Sequence, residues 1–323
     1  MIEKSVSTEM KAIAIIMVVA GHFLNAYYQI RPSLAIMFGT GGVTIFLMLS
    51  GYGIVSSYYK SGLHIDYWTK KLSKIYVPYL IVTVVWILIA KLYRLEPTVI
   101  FKNLIMLDFN RTVDGTMWYL SYLLIWYVLF FVIFVFDYSI IVKIVLLFGF
   151  SYLLYQVDNM SVFSDCTYQF CRNAFSFPLG VLIGTISKSS KESSILQVID
   201  SEKRKVIIVM LTVIAIAEIA VFLKLQSDSK ALVQLNGIFV FLIVFILCRK
   251  ITGNRIKHAL LEVGQISYFL YLIEGKCFSA VSSFGIANHY LNSVIYLLVL
   301  TALGVCYFVY KRIKTANYCD SKT

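Results

Sequence analysis

The chain has 323 residues, of which 59% are hydrophobic and 14% charged, and its mean hydropathy is +0.80. This composition excludes a soluble globular enzyme and indicates an all-α, polytopic integral membrane protein. The formal net charge of +12 is explained by basic residues at a membrane surface, so nucleic-acid binding is not expected.

Apolar runs of membrane-spanning length predict about ten transmembrane helices in one integral domain over residues 1–323. The predicted spans are 12–30, 35–59, 75–93, 117–136, 139–157, 172–187, 205–225, 232–248, 266–287 and 292–310, followed by a tail at 311–323. The first span is too long for the apolar region of a signal peptide and lacks a small-residue cleavage site, so we expect it to stay in the chain.

Basic residues predict the orientation. An even number of spans places both termini on one side, and most of the 29 Lys and Arg residues fall on that side. The positive-inside rule therefore predicts cytoplasmic N and C termini and a multi-pass protein of the plasma (inner) membrane. The inner clusters are Lys70, Lys71 and Lys74; Lys203, Arg204 and Lys205; Arg249, Lys250, Arg255 and Lys257; and Lys311, Arg312 and Lys314.

The six cysteines have no metal-ligand spacing, so no metal is predicted and most are interpreted as buried thiols. Cys166 and Cys171 flank a predicted outer loop, where they are either unbridged or joined in an oxidising compartment. Glycosylation sequons at Asn110 and Asn159 also fall on predicted outer loops.

Lys11 and His22 share one face of the first predicted helix. A helix turns by about 100° and rises by about 1.5 Å per residue. From Lys11 to His22 it therefore makes three turns plus about 20° and rises about 16 Å. His22 is thus expected near mid-membrane, where an ionisable side chain is costly and commonly functional. Burial disfavours the charged imidazolium, which suits a base. The alternative is a histidine satisfied by a polar group of a neighbouring helix.

Four stretches of the chain resemble the membrane-bound acyltransferase-3 family, whose members move acyl groups, usually acetyl, onto sugars of surface or exported glycans. Lys11 and His22 match its basic residue, ten intervening residues and histidine, with Lys in place of the commoner Arg. The other three stretches are Gly41–Tyr52 (GGVTIFLMLSGY), Lys70–Tyr79 (KKLSKIYVPY) and Met117–Ser121 (MWYLS). Weaker similarity continues at Phe177–Gly180 (FPLG) and Ser267–Leu272 (SYFLYL).

Three positions depart from the family pattern. Thr8 stands where the family often has Asp, Leu123 where many members have Glu, and Glu274 where many have His. The departures leave the subfamily and the acceptor open.

The resemblance implies O-acyl transfer, with acetyl the usual group, from cytosolic acetyl-CoA to a hydroxyl of a surface or exported polysaccharide or its lipid-linked precursor. His22 is then the catalytic base. Glu274, at a comparable depth in the ninth predicted span, is a candidate to orient the imidazole as the acid of a triad does; structural pairing elsewhere is the alternative. Ser50 is a candidate donor to the thioester oxyanion, whereas its glycine-rich surroundings also suit helix packing.

Further candidates lie at the two membrane surfaces. Lys11, Lys71 and Lys74 suit the phosphates of acyl-CoA, although lysines there are also expected from topology and lipid anchoring. On the outer side, Arg172 and Asp114 suit hydrogen bonds to a glycan, and Trp118 and Tyr119 suit stacking on a sugar. Interfacial aromatic residues are, alternatively, ordinary membrane anchors.

Two rival functions are also compatible with the sequence. One is a transporter of a glycan unit or small anion with a proton path through His22, Glu218 and Glu274, although the repeated, broken helices of many transporters are not detected. The other is a non-catalytic scaffold or sensor. For an enzyme, direct transfer and a covalent acyl-enzyme relay are both open.

Overall fold

The computed structural model describes residues 2–29, 32–63, 66–109, 113–156, 167–188, 229–251, 253–286 and 288–320, with isolated positions between 209 and 224. These residues form helices, turns and irregular segments, and no strand occurs among them, which confirms the all-α prediction. The sequence predictions outside the described residues concern Cys166, Asn110, Asn159, Glu218 and the cluster Lys203, Arg204 and Lys205.

Twelve α-helices are numbered here within the described ranges. They are α1 (Lys4–Tyr28), α2 (Pro32–Ser61), α3 (Asp66–Lys71), α4 (Val77–Ile89), α5 (Pro97–Leu104), α6 (Trp118–Val135), α7 (Ile140–Gln156), α8 (Thr167–Arg172), α9 (Ser176–Lys188), α10 (Lys230–Lys250), α11 (Asn254–Ser282) and α12 (His289–Asp320). A π-helical turn, Leu72–Tyr76, joins α3 to α4, and a 3₁₀ turn, Leu92–Arg94, follows α4.

Six helical segments in the described ranges are long and apolar enough to cross a membrane: Lys4–Tyr28, Leu34–Ser61, Asp66–Ile89, Trp118–Val135, Lys230–Lys250 and His289–Lys314. The protein is therefore a multi-pass membrane protein. Helices also occupy the predicted fifth, sixth and ninth spans, but α7 and α9 are short, and Glu274 and Lys276 make α11 less apolar. The seventh predicted span lies mostly outside the described residues.

Helix α2 is the central element, because it packs extensively against α1, α9 and α10. Glycines allow two of these close approaches. A Cβ at Gly42 would lie 2.6 Å from the Ala14 carbonyl oxygen of α1, and a Cβ at Gly51 would overlap the Phe177 carbonyl of α9. From the other side of that contact, a Cβ at Gly180 would overlap the Met48 carbonyl of α2. Some of the glycines around Ser50 in α2 therefore serve helix packing, as the sequence predicted.

Two other glycines of α2 face open space rather than a neighbouring helix. An ideal Cβ at Gly39 or Gly53 meets nothing within 4 Å. Each of these two residues lines a cavity. The glycines of α2 thus serve packing at some positions and leave open space at others.

Cysteines in the described ranges lie mainly within helices. Cys248 and Cys277 are buried thiols. The Sγ atom of Cys171 lies 3.0 Å from the Leu154 carbonyl oxygen. Across the described residues, no three His, Cys, Asp or Glu side chains come together as a metal site would need.

The contact of α2 with α9 predicts that replacing a glycine by alanine lowers stability at the contact but not elsewhere. Gly180→Ala forces a Cβ into the Met48 carbonyl, so we expect a loss of about 1–3 kcal/mol from overpacking. The measurement is the temperature at which the detergent-solubilised protein loses its monodisperse elution peak.

Gly149→Ala is the matched control, because a Cβ at Gly149 in α7 meets nothing within 4 Å. It should leave the melting temperature unchanged or raise it. Equal melting temperatures for the two variants would contradict the close α2–α9 packing.

Candidate functional site

His22 of α1 and Glu274 of α11 form a hydrogen-bonded pair of one accessible and one buried side chain. The His22 Nδ1 and Glu274 Oε1 atoms are 2.8 Å apart. The Glu274 side chain is 1% exposed, whereas 45% of the His22 side-chain surface remains accessible. With Nδ1 donating to the carboxylate, Nε2 is the nitrogen left to accept a proton. The sequence placed these residues at comparable depth; the structure adds their direct contact.

The pair is backed by aromatic side chains. Tyr296 of α12 is 1% exposed and lies close to Glu274. Its ring stacks at 6.1 Å on Phe23, which follows His22 in α1. An aromatic backing of this kind keeps water from the Glu274 side of the pair.

His22 opens on a cavity of about 190 Å³ that is called the histidine cavity here. Three of the four residues that were predicted to bind the acceptor line it with His22: Trp118, Tyr119 and Arg172. Arg172 is 3% exposed, and its guanidinium carbon lies 3.4 Å from the centre of the Tyr168 ring. The polar part of the wall also includes the side chains of Asn25, Thr40, Thr116 and Gln169, which the sequence analysis did not single out.

Asp114, the fourth predicted acceptor ligand, has a different environment. Its Oδ2 atom is 2.6 Å from Lys276 Nζ of α11. Its Oδ1 atom accepts hydrogen bonds from the Thr116 backbone N–H at 2.8 Å and from the Thr116 hydroxyl at 2.7 Å. The carboxylate is therefore held by protein groups beneath the cavity wall.

A second cavity, of about 460 Å³, contains all three predicted donor-binding lysines, Lys11, Lys71 and Lys74. It is called the lysine cavity here. Ser50 and Gly53 of α2 form part of its wall, and Asp66 contributes a carboxylate. The helical path from α3 to α4 explains the placement of two lysines, since Lys71 precedes and Lys74 lies within the π-helical turn. Such turns alter the direction of side chains and are frequent at functional sites.

The two cavities approach each other at Tyr119 and Ser50. Tyr119 lines the histidine cavity and Ser50 the lysine cavity, and the two side chains interact. The rings of Phe46 and Tyr271 lie 6.2 Å and 5.3 Å from that of Tyr119. Ser50 thus lies with the three lysines, and His22 lies on the other side of Tyr119 and its aromatic neighbours.

The His22–Glu274 pair lies beside one cavity and three lysines lie in another, so that the membrane protein has two separate polar sites. The family model described as an acyltransferase domain, that of the acyltransferase-3 family, matches residues 10–311. The chain therefore belongs to the acyltransferase-3 family, which makes it a membrane acyltransferase. No curated protein and no solved structure matched the chain.

The positions of the cavities predict that cysteines introduced at two positions of α2 are accessible from opposite sides of the membrane. Gly39 lines the histidine cavity and Gly53 the lysine cavity, with open space at both Cβ positions. They are 14 residues apart, a rise of about 21 Å. In a cysteine-free background, Gly39→Cys should react with an impermeant maleimide only in intact cells, and Gly53→Cys only in inverted vesicles.

Gly42→Cys is the control, because its Cβ is enclosed by Ala14 and Val18 of α1. It should not react from either side. Labelling of the two test positions from the same side would contradict the arrangement of the cavities and the orientation.

Proposed function

We propose that the protein is an O-acetyltransferase that moves an acetyl group from cytosolic acetyl-CoA to a hydroxyl of a surface or exported polysaccharide, or of its lipid-linked precursor. It acts in the plasma membrane with both termini in the cytoplasm. The observation that carries the proposal is the 2.8 Å contact between His22 and Glu274 beside a polar cavity in an acyltransferase-3 family member.

His22 acts as the base. Glu274 accepts a hydrogen bond from Nδ1–H, which leaves Nε2 to take the proton of the acceptor hydroxyl as its oxygen attacks the thioester carbonyl carbon. The carbon–sulfur bond then breaks, and the proton passes from Nε2 to the departing sulfur. The products are an acetyl ester and free CoA. The buried carboxylate stabilises the imidazolium that exists between the two proton transfers.

The lysine cavity suits the donor. Its three lysines provide point charges for the phosphates of acetyl-CoA. A pantetheine arm that leaves these charges along α2 reaches Ser50, whose hydroxyl is offered to the thioester oxygen. The neighbouring Tyr119 separates this end of the donor site from His22.

The histidine cavity suits a carbohydrate acceptor. Its wall combines a guanidinium, two carboxamides, two threonines and two tyrosines with the indole of Trp118. Few, well-placed polar groups within an otherwise apolar wall are typical of small-molecule sites. Trp118 stacks on the sugar ring, and Arg172 hydrogen-bonds its oxygens.

Direct transfer is the simpler of the two routes across the Tyr119–Ser50 boundary. It requires movement of the Tyr119 side chain, but no covalent protein intermediate. Incubation with labelled acetyl-CoA and no acceptor should then leave the protein unlabelled. A stable labelled protein would instead show a relay through an acylated side chain.

Loss of the base tests the function in cells. His22→Ala should abolish acetyl esters on the host glycan, because the acceptor hydroxyl loses its proton acceptor, while glycan export and chain length stay normal. Glu274→Gln should lower kcat by about 10²–10⁴-fold by removing the carboxylate that orients the ring. Ester content is read by mass spectrometry of the purified glycan. Loss of export with His22→Ala, and no change in ester content per exported glycan, would indicate a transporter.

Loss of a donor-site lysine tests the lysine cavity. Lys11→Met should raise the KM for acetyl-CoA roughly 10–100-fold, because a hydrogen bond to a charged group contributes about 1.5–3 kcal/mol. The KM for the acceptor should not change. Lys60→Met, at the end of α2, is the control for general attraction to anionic lipid. A similar rise in both variants would show that Lys11 acts through topology or lipid rather than through the donor.

A further inference from the structure

The ion pair of Lys276 with Asp114 is unusual because both side chains are buried. The charged atoms are 2.6 Å apart, and the side chains are 7% and 6% exposed. Removing two charges from water is expensive, and the attraction between them often fails to compensate. Stability alone is thus a weak explanation for the pair.

Asp114 connects this pair to the turn that precedes α6. Its Oδ1 atom accepts both the backbone N–H and the hydroxyl of Thr116. The Thr116 carbonyl oxygen in turn accepts a hydrogen bond from the Tyr271 hydroxyl. Lys276 and Tyr271 both belong to α11, so that one helix holds the turn at two points.

Gly275 brings the turn against the backbone of α11. A Cβ at this position would lie 2.8 Å from the Thr116 hydroxyl oxygen and 3.1 Å from Asp114 Oδ1. The turn therefore packs on α11 at the residue between Glu274 and Lys276. Any shift of α11 here moves both the catalytic carboxylate and the turn.

The turn is also a wall of the histidine cavity. Thr116 and Trp118 line it, and His22, held by Glu274, lies in the same wall. Resting on the proposed function, we propose that Lys276 is a positioning residue for the acceptor. Through Asp114 it fixes Thr116 and Trp118 relative to His22, so that three consecutive residues of α11 set the geometry between base and acceptor hydroxyl.

The expected loss of activity follows from the sensitivity of the rate to the distance between the base and the acceptor hydroxyl. A displacement of about 1 Å between reacting groups can cost on the order of 10²-fold in rate. Loss of Lys276 should therefore lower kcat/KM for the acceptor at least tenfold, while the donor site, with its own cavity, keeps its KM for acetyl-CoA within twofold.

The experiment uses the full chain in nanodiscs, with labelled acetyl-CoA and the host polysaccharide after mild alkaline removal of its esters. The variants are Lys276→Met, Asp114→Asn, the double variant and Lys276→Arg. Since Asp114 and Lys276 act through one contact, the two single losses should not add in the double variant. Lys276→Arg, which retains the charge, should recover part of the lost kcat/KM.

Lys143→Met is the matched control for removing a buried lysine. Lys143 is 3% exposed in α7 and donates to the Tyr58 hydroxyl and the Phe134 carbonyl. It lines neither the histidine cavity nor the lysine cavity. Its kcat/KM for the acceptor should stay within twofold of wild type even if its melting temperature falls.

A second readout does not depend on catalysis. Backbone hydrogen exchange over 113–118 should speed up in Lys276→Met and stay unchanged in Lys143→Met. If Lys276→Met does not fold, the double variant, which leaves no unpaired buried charge, takes its place. Wild-type kcat/KM and unchanged exchange in a folded variant that lacks Lys276 would overturn the proposal. So would an equal loss in Lys143→Met.

Failure of the proposed function itself is seen separately. It would appear as wild-type protein that transfers no acetyl group in the same assay. The exchange measurement would still test whether Lys276 holds the turn.

Discussion

The hydrogen bond between His22 and Glu274 is the interaction on which the site depends. It joins residues 252 positions apart in the chain, so the first and eleventh helices must pack at one depth for it to form. A single ionisable residue in the low-dielectric interior is costly, whereas a bonded pair shares the cost and gains orientation. The pair also explains why α11 is polar for a helix in this position, since a carboxylate there is satisfied by the imidazole.

The arrangement of the cavities follows from the packing around α2. Glycines facing α1 and α9 bring three helices together, and glycines at other turns leave open space on either side of that contact. The result is a tightly packed middle, where Tyr119 contacts Ser50, between two cavities. For an acyl-transfer enzyme this geometry has a physical advantage, because a thioester held near the boundary is separated from bulk water until the acceptor is in place.

Two carboxylates near His22, those of Glu274 and Asp114, are each bonded to a basic side chain. Glu274 bonds the imidazole, and Asp114 bonds Lys276 two residues further along α11. Residues two apart on a helix face different directions, which allows one short segment to bond α1 and the α6 turn at once. Without Lys276, the Asp114 carboxylate would lose its cationic partner and keep only its hydrogen bonds from Thr116.

The sequence by itself determined the helical class and the family, because hydropathy and short motifs are local properties of the chain. The same motifs predicted roles for His22, Lys11, Lys71 and Lys74. The sequence also predicted the sharing of depth by His22 and Glu274. Only the tertiary structure decided that these two touch, that Ser50 lies with the lysines, and that Asp114 bonds Lys276 and Thr116 rather than lining the histidine cavity. Those outcomes depend on helix rotation and on contacts between residues more than a hundred positions apart, which no local pattern encodes.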